Sequence, residues 1–154
     1  MADGEDTFPG QSIVTEGEWA GWRPCVGSDP FEDQSGPYYT RDEPDGSVVC
    51  AFRAERKHMN GGGFMHGGCV LTFADFCLFA IGREALKDVH AVTVSLNGDF
   101  VGPAYEGDLI EGRGEVIRAG GSLIFLRGII STGGKTMLSF SGVVKKVGKR
   151  DAKN

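Results

Sequence analysis

Thirteen consecutive residues, Cys69–Ile81, contain only two polar side chains, Thr72 and Asp75, and neither glycine nor proline. A run of that length without alternation is read as a helix, and its apolar character extends round most of the circumference. Such a helix must be buried on most sides. The predicted element runs from Cys69 to Lys87, and the rest of the chain has to wrap it.

That remainder reads as strands. Tyr38–Arg41 and Ser47–Ala54 are strand-like and flank Asp42–Gly46, where Pro44, Asp45 and Gly46 supply turn chemistry. Ala91–Phe100 alternates, with Val92, Val94 and Leu96 assigned to one face and Thr93, Ser95 and Asn97 to the other. Gly102-Pro103 and Glu106-Gly107-Asp108 mark turns. Leu109–Arg118, Leu123–Ser131 and Thr136–Val147 follow, separated by Gly120-Gly121 and Gly133-Gly134, and gaps this short favour an antiparallel meander. The expectation is an α+β domain in which an antiparallel sheet of five to six strands wraps one long buried helix. Helices do not alternate with strands, which excludes a doubly wound parallel fold.

A chain of 154 residues suits one domain with a real core. The division expected is an irregular arm over 1–37, with a short helix near 11–21 and Trp19 and Trp22 as anchors; a main domain over 38–147; and a basic flexible tail over 148–154. A net charge of −5 speaks against a nucleic-acid partner, since the one basic cluster, at Lys145–Lys153, reads as solvated. Cys25, Cys50, Cys69 and Cys77 have no metal-ligand spacing, and Cys69 and Cys77 read as small buried hydrophobes. The acidic start MADGEDTFPG lacks a signal-peptide pattern and no stretch is long enough to span a membrane, so a cytoplasmic protein is expected.

Asp75 is the most informative residue. An ionised carboxylate between Ala74 and Phe76 loses several kcal/mol of hydration unless it is partnered. It is either a structural group bonded across an interface or a carboxylate held in a dry cleft for base or nucleophile work. His66-Gly67-Gly68 immediately precedes the apolar run, so the Gly67 and Gly68 amides fall among the open donors of a first helical turn. The helix dipole there favours a developing oxyanion. Gly67 and Asp75 are eight residues apart, roughly 12 Å along a helix. If both act on one carbonyl, they come from two chains related by a two-fold axis.

Other motifs fail. Gly133-Gly134-Lys135-Thr136 resembles the end of a phosphate loop, but Ile129 stands where glycine is required and a strand follows. There is no G-x-S-x-G elbow, and His58, His66 and His90 form no metal set.

Asn60, His66-Gly67-Gly68, Asp75, Val92–Asn97 and Gly102-Pro103-Ala104-x-x-Gly107-Asp108 together resemble the hotdog thioesterases of the phenylacetate-pathway (PaaI-like) group, over about residues 38–147. The resemblance implies a hotdog fold and hydrolysis of acyl-CoA without a cofactor, CoA being part of the substrate. It implies a homo-oligomer, a dimer or dimer of dimers. It further implies that the Gly67 N–H polarises the thioester carbonyl and that His66 braces the loop. Asn60 would orient water or carbonyl, Asp75 of the partner chain would act as base or nucleophile, and Thr93 would assist the water. Gly68, Phe100, Val101, Gly102 and Pro103, extending to Tyr105, fall where relatives contact pantetheine and nucleotide. Arg118, Gly120, Gly121, Ser122 and Lys145 do so as well, with Arg118 and Lys145 as phosphate partners.

The acyl group is not identified by the pattern. Phe64, Met65, Phe73, Phe76 and Phe79 suit an apolar pocket and core packing equally. Two other functions fit the same fold. One is a hydratase or dehydratase pairing His66 with Asp75, against which the Asn60-x5-His-Gly-Gly pattern speaks. The other is a non-catalytic acyl-CoA-binding module.

Overall fold

The computed structural model describes residues 11–150. The chain runs β1 (Arg23–Cys25), α1 (Pro30–Ser35), β2 (Tyr38–Asp42), β3 (Val48–Arg53), α2 (Gly67–Ile81), β4 (Val89–Phe100), β5 (Leu109–Ala119), β6 (Leu123–Thr132) and β7 (Lys135–Lys149). The seven strands form one antiparallel sheet in the order β1-β2-β3-β5-β6-β7-β4. The helix packs on one face of it. This is the expected hotdog architecture.

The seventh strand comes from the arm. Cys25 pairs with Tyr38 and Arg23 with Thr40, which extends the sheet by one short edge strand. No helix forms over residues 11–21, which make bends and turns instead. The helix of this region lies later, in α1. Asp29 caps it by accepting from the Phe31 and Glu32 amides, Pro30 opens it, and Glu32 and Asp33 put negative charge in its first turn. The Asp29-Pro30 pair was a legible start signal. The residues before 11 and after 150 lie outside the described structure; β7 itself continues to Lys149.

α2 is buried through Val70, Phe73, Ala74, Phe76, Cys77, Leu78 and Ala80. Two glycines let the sheet approach it. A Cβ on Gly112 would stand 2.4 Å from Cys77 Sγ, and one on Gly142 would stand 2.5 Å from a Leu78 methyl. Strand β3 is buried on both faces. Cys50 and Phe52 meet α2, while Val49 and Ala51 are covered by Trp22 from the arm. Trp19 stacks on Tyr39 at 3.9 Å between centroids, and the Arg41 guanidinium sits 4.3 Å over the Trp22 ring.

The expected meander holds for β5-β6-β7 and fails at β4. α2 carries the chain beneath the sheet to the far edge, where β4 pairs with β7. Residues 101–108 then return across the start of α2, with the Met65 N–H on Ala104 O and the Ala54 N–H on Asp108 O. The face assignment in β4 is also corrected. A register shift between Thr93 and Ser95 aligns Thr93 with Val144 and Leu96 with Gly142, both buried positions. Thr93 therefore turns toward α2, while Val92 and Val94 stay 48% and 56% exposed.

No helix among the described residues is long and apolar enough to cross a membrane. All four cysteines are free thiols.

Candidate active site

Asp75 sits in the middle of α2 and is half-buried. Its Oδ1 accepts the Thr93 hydroxyl at 2.5 Å. The interior carboxylate therefore has a partner, and that partner is donated by the edge strand β4. A charge-assisted O–H···O− bond of this length fixes the carboxylate's rotation and leaves its other oxygen to act.

The start of α2 is organised by its own cap. His66 takes extended backbone angles, and its Nδ1 accepts the Gly68 N–H at 2.9 Å. Of the two glycine amides read as open donors, Gly68 is thus spent inside the protein. The Gly67 N–H has no protein acceptor among the described residues. It is the donor left for a ligand, in the favourable field of the helix terminus.

Asn60 orders the preceding loop. Its Oδ1 accepts from the Gly62 and Phe64 amides at 2.9 and 3.1 Å, and its backbone N–H reaches Phe64 O. Both contacts require an acceptor, so the side-chain oxygen is used in the loop and the Nδ2 group is the end that faces outward. Asn60 can donate to a carbonyl but has little capacity left to accept from water.

Phe100 lies against Gly67, its ring carbons 3.4 Å from where a Gly67 Cβ would be. Phe100, Val101 and Pro103 are exposed beside it. The second group of expected binding residues stands elsewhere. Arg118 is the last but one residue of β5, Gly120, Gly121 and Ser122 form the hairpin tip, and Lys145 pairs with Leu123. Phe100 pairs with Leu138 and Val92 with Lys145, so the two groups are about 23 Å apart along β7 at a rise of ~3.3 Å per residue. Thr93, opposite Val144, belongs to the Lys145 end. One chain thus brings together Asn60, His66, Gly67 and Phe100 at one end and joins Thr93 to Asp75 further along, while Lys145, which follows the buried Val144 in β7, is exposed on the opposite face of the sheet.

A cavity of ≈ 370 Å³ lies along the open face of α2. Gly68, Leu71, Thr72 and Asp75 line it from α2, and Asp29, Phe31 and Glu32 line it from the arm. Burial, aided by the negative charges of Asp29, Asp75 and Asp33, pushes the Glu32 carboxyl up to about 7. The sequence reading missed Phe31 and Glu32, because the arm carried no motif and its helix was placed too early. Met65, Phe73 and Phe76, weighed as pocket residues, belong to the core, where Phe76 and Phe73 pack on Tyr38 at 4.9 and 5.3 Å. Phe64 is exposed beside Tyr105. No group of three His, Cys, Asp or Glu side chains that could hold a metal occurs among the described residues.

The family model described as "Thioesterase superfamily" matches residues 62–139, which include Gly67, Asp75 and Thr93. A Pseudomonas aeruginosa protein named "Putative esterase PA0474" is 36% identical over 126 residues, covering 80% of this chain and 92% of that protein. The Escherichia coli PaaI protein of the phenylacetic acid degradation operon superposes with a TM-score of 0.70 at 20% identity, covering 80% of this chain and 88% of that one. A hypothetical thioesterase of Streptococcus pneumoniae, solved with coenzyme A, superposes with a TM-score of 0.64 at 20% identity over 74% of this chain and 88% of that one. The matched span holds the whole of α2 and its glycine cap, and on these grounds the chain belongs to the thioesterase superfamily.

Proposed function

We propose that this chain hydrolyses acyl-CoA thioesters at a site shared between two copies of itself. The observation that carries the reading is the bond from Thr93 to Asp75, which holds one oxygen of an interior carboxylate and leaves the other for chemistry. In this reading a substrate carbonyl accepts from the Gly67 N–H of one chain. Asp75 of the other removes a proton from water, or attacks the carbonyl itself, and Thr93 steadies it. With water as nucleophile, the new C–O bond places negative charge on the carbonyl oxygen at Gly67. Collapse breaks the C–S bond, and the CoA thiolate leaves and is protonated. No cofactor is needed beyond the CoA that the substrate carries.

Two chains are invoked because Gly67 and Asp75 stand roughly 12 Å apart on one helix. The twelve-residue edge strand β4, with Val92 and Val94 exposed, is the surface that supports self-association. A dimer, or a dimer of dimers, would bring the Gly67 end of one chain to the Asp75 end of the next. CoA enters the reading through the motif likeness and through the streptococcal structure that holds it. Arg118 and Lys145 are the proposed phosphate partners. Residues 38–147 carry the chemistry, and the arm before them lines one side of the cavity.

The hydratase alternative loses support at His66. Its Nδ1 is an acceptor for the Gly68 N–H, so the neutral ring carries its proton on Nε2 and offers no base there. A panel of acyl-CoA thioesters, with release of free thiol as readout, tests the proposal. Hydrolysis of at least one member by the wild type and not by Asp75→Asn is expected; inertness across the panel would leave a binding module.

A further inference from the structure

The cavity beside Asp75 has an apolar wall and an acidic end. Leu71 and Phe31 supply carbon surface, and the ionisable groups lining it are Asp29, Glu32 and Asp75. No lysine, arginine or histidine is among its lining residues. The three carboxylates are not equally available. Asp29 Oδ1 is used by the Phe31 and Glu32 amides, and Asp75 Oδ1 by Thr93. The Glu32 carboxylate has no hydrogen bond or ion pair among the described residues. It stands on a segment that lies before the family-matched span.

We propose that Glu32 is a specificity-determining residue that reads the far end of the acyl group, admitting neutral or hydrogen-bond-donating ends and rejecting carboxylates. This rests on the reading that Asp75 and its cavity receive the acyl part of a thioester. A terminal carboxylate entering the cavity would meet the like charges of Asp29, Glu32 and Asp75, with no cation in the lining to offset them. A hydroxyl, an amine or a plain methyl end would not.

The selectivity then depends on pH. Glu32 titrates at about 7, so at pH 6.5 it is largely protonated and can donate to a carboxylate, whereas at pH 8.5 it repels one. Burial raises its pKa first, and the like charge of Asp29 at the cap of α1, Asp75 on α2 and Asp33 on α1 adds to this. Cys25 of β1, pushed by burial to about 11, and Tyr38 of β2 and Cys77 of α2, both pushed up by burial, stay neutral. His58, which holds the end of α1 through Ser35 O, is lowered by burial and is mostly neutral above pH 6.5.

The test uses hexanoyl-CoA and adipoyl-CoA, alike but for the terminal carboxylate. Each is measured by kcat/KM, or as a competitive inhibitor of the best panel substrate where turnover is slow. For the wild type, the adipoyl-to-hexanoyl ratio should fall about tenfold from pH 6.5 to 8.5. Glu32→Gln should raise the ratio about tenfold at pH 8.5 and flatten its pH dependence, and Glu32→Lys should raise it further. Should a variant not fold, the wild-type pH series still decides. A ratio that is flat with pH, or unchanged within twofold in a folded Glu32→Gln that still turns over thioesters, overturns the role of Glu32 and leaves the thioesterase reading standing. A wild type that hydrolyses no acyl-CoA overturns both.

Discussion

Thr93 donates its hydroxyl hydrogen to Asp75 Oδ1, and this single bond joins the centre of α2 to the sheet's edge strand. It explains how a carboxylate is kept in a helix whose neighbours are Ala74 and Phe76. The strand that supplies the hydroxyl is also an edge strand of the sheet, so the chemistry and the proposed interface share one element.

Asp75→Asn should fold as the wild type does and lose a hundredfold or more of thioester hydrolysis, as expected for removal of a general base. The amide keeps the shape and can still accept from Thr93, but it cannot take a proton. Circular dichroism and thiol release are the measurements. A folded variant with near-complete turnover would return Asp75 to a structural role.

Thr93→Val removes the hydroxyl and keeps the β-branched shape that suits a strand. A loss of about tenfold in kcat is expected, with Thr93→Ser retaining most of the activity. If serine is as poor as valine, the methyl group matters through packing, and the hydrogen bond is not the reason for the threonine.

Much of this was legible beforehand, for physical reasons that differ by element. α2 announced itself because thirteen residues with two polar side chains can only be enclosed. The glycine cap was visible because His66-Gly67-Gly68 abuts that run, but which amide stays open depended on His66 turning its Nδ1 to Gly68. The position of β4 was not legible. A local pattern gives a strand's alternation but not its neighbour, and the register shift at Thr93 reversed the inward face. The arm was misread because α1 is only six residues long, too short for periodicity, and only its Asp29-Pro30 cap marks it. Glu32 was missed with it.

Gly67 is the first residue of α2, where proline is tolerated because the N–H is unpaired. His66 already has the extended angles that precede a proline, φ −63 and ψ 133. Gly67→Pro should therefore delete the proposed donor with little harm to the helix and lose about a hundredfold in kcat. Mixing it with Asp75→Asn should restore part of the activity, since a hybrid dimer holds one intact site. Proven subunit exchange without recovery would show that the two groups do not serve one substrate across an interface.

His58 gives a pH prediction. Its Nδ1 accepts the Glu55 N–H and its Nε2 pairs with Ser35 O at the end of α1. Burial lowers its pKa from the ordinary 6.5. The folded value lies below the unfolded one, so this contribution to stability is complete above about 6.5 and is lost as pH falls through the folded value. The Tm of the wild type should drop on going from pH 7 to 5, and His58→Gln should be less stable at pH 7 with a shallower slope. Equal slopes would assign the acid sensitivity to other groups.

The last prediction concerns the nucleotide. A chain of net charge −5 must supply cations locally if it is to hold CoA phosphates. Arg118 is exposed near the 120–122 hairpin tip, and Lys145 sits across from Leu123 on the neighbouring strand. Exposed charges are each worth little, about 1 kcal/mol or less, so reversal is more telling than deletion. Arg118→Glu should raise KM for acyl-CoA several-fold with kcat nearly unchanged, because the phosphates lie far from the reacting carbon. The same acyl group on a short pantetheine thiol, which lacks the nucleotide, should be hydrolysed as before. Equal losses on both thioesters would place Arg118 in support of the fold or the chemistry. No loss on either would leave the phosphates to Lys145 or to the backbone of the hairpin.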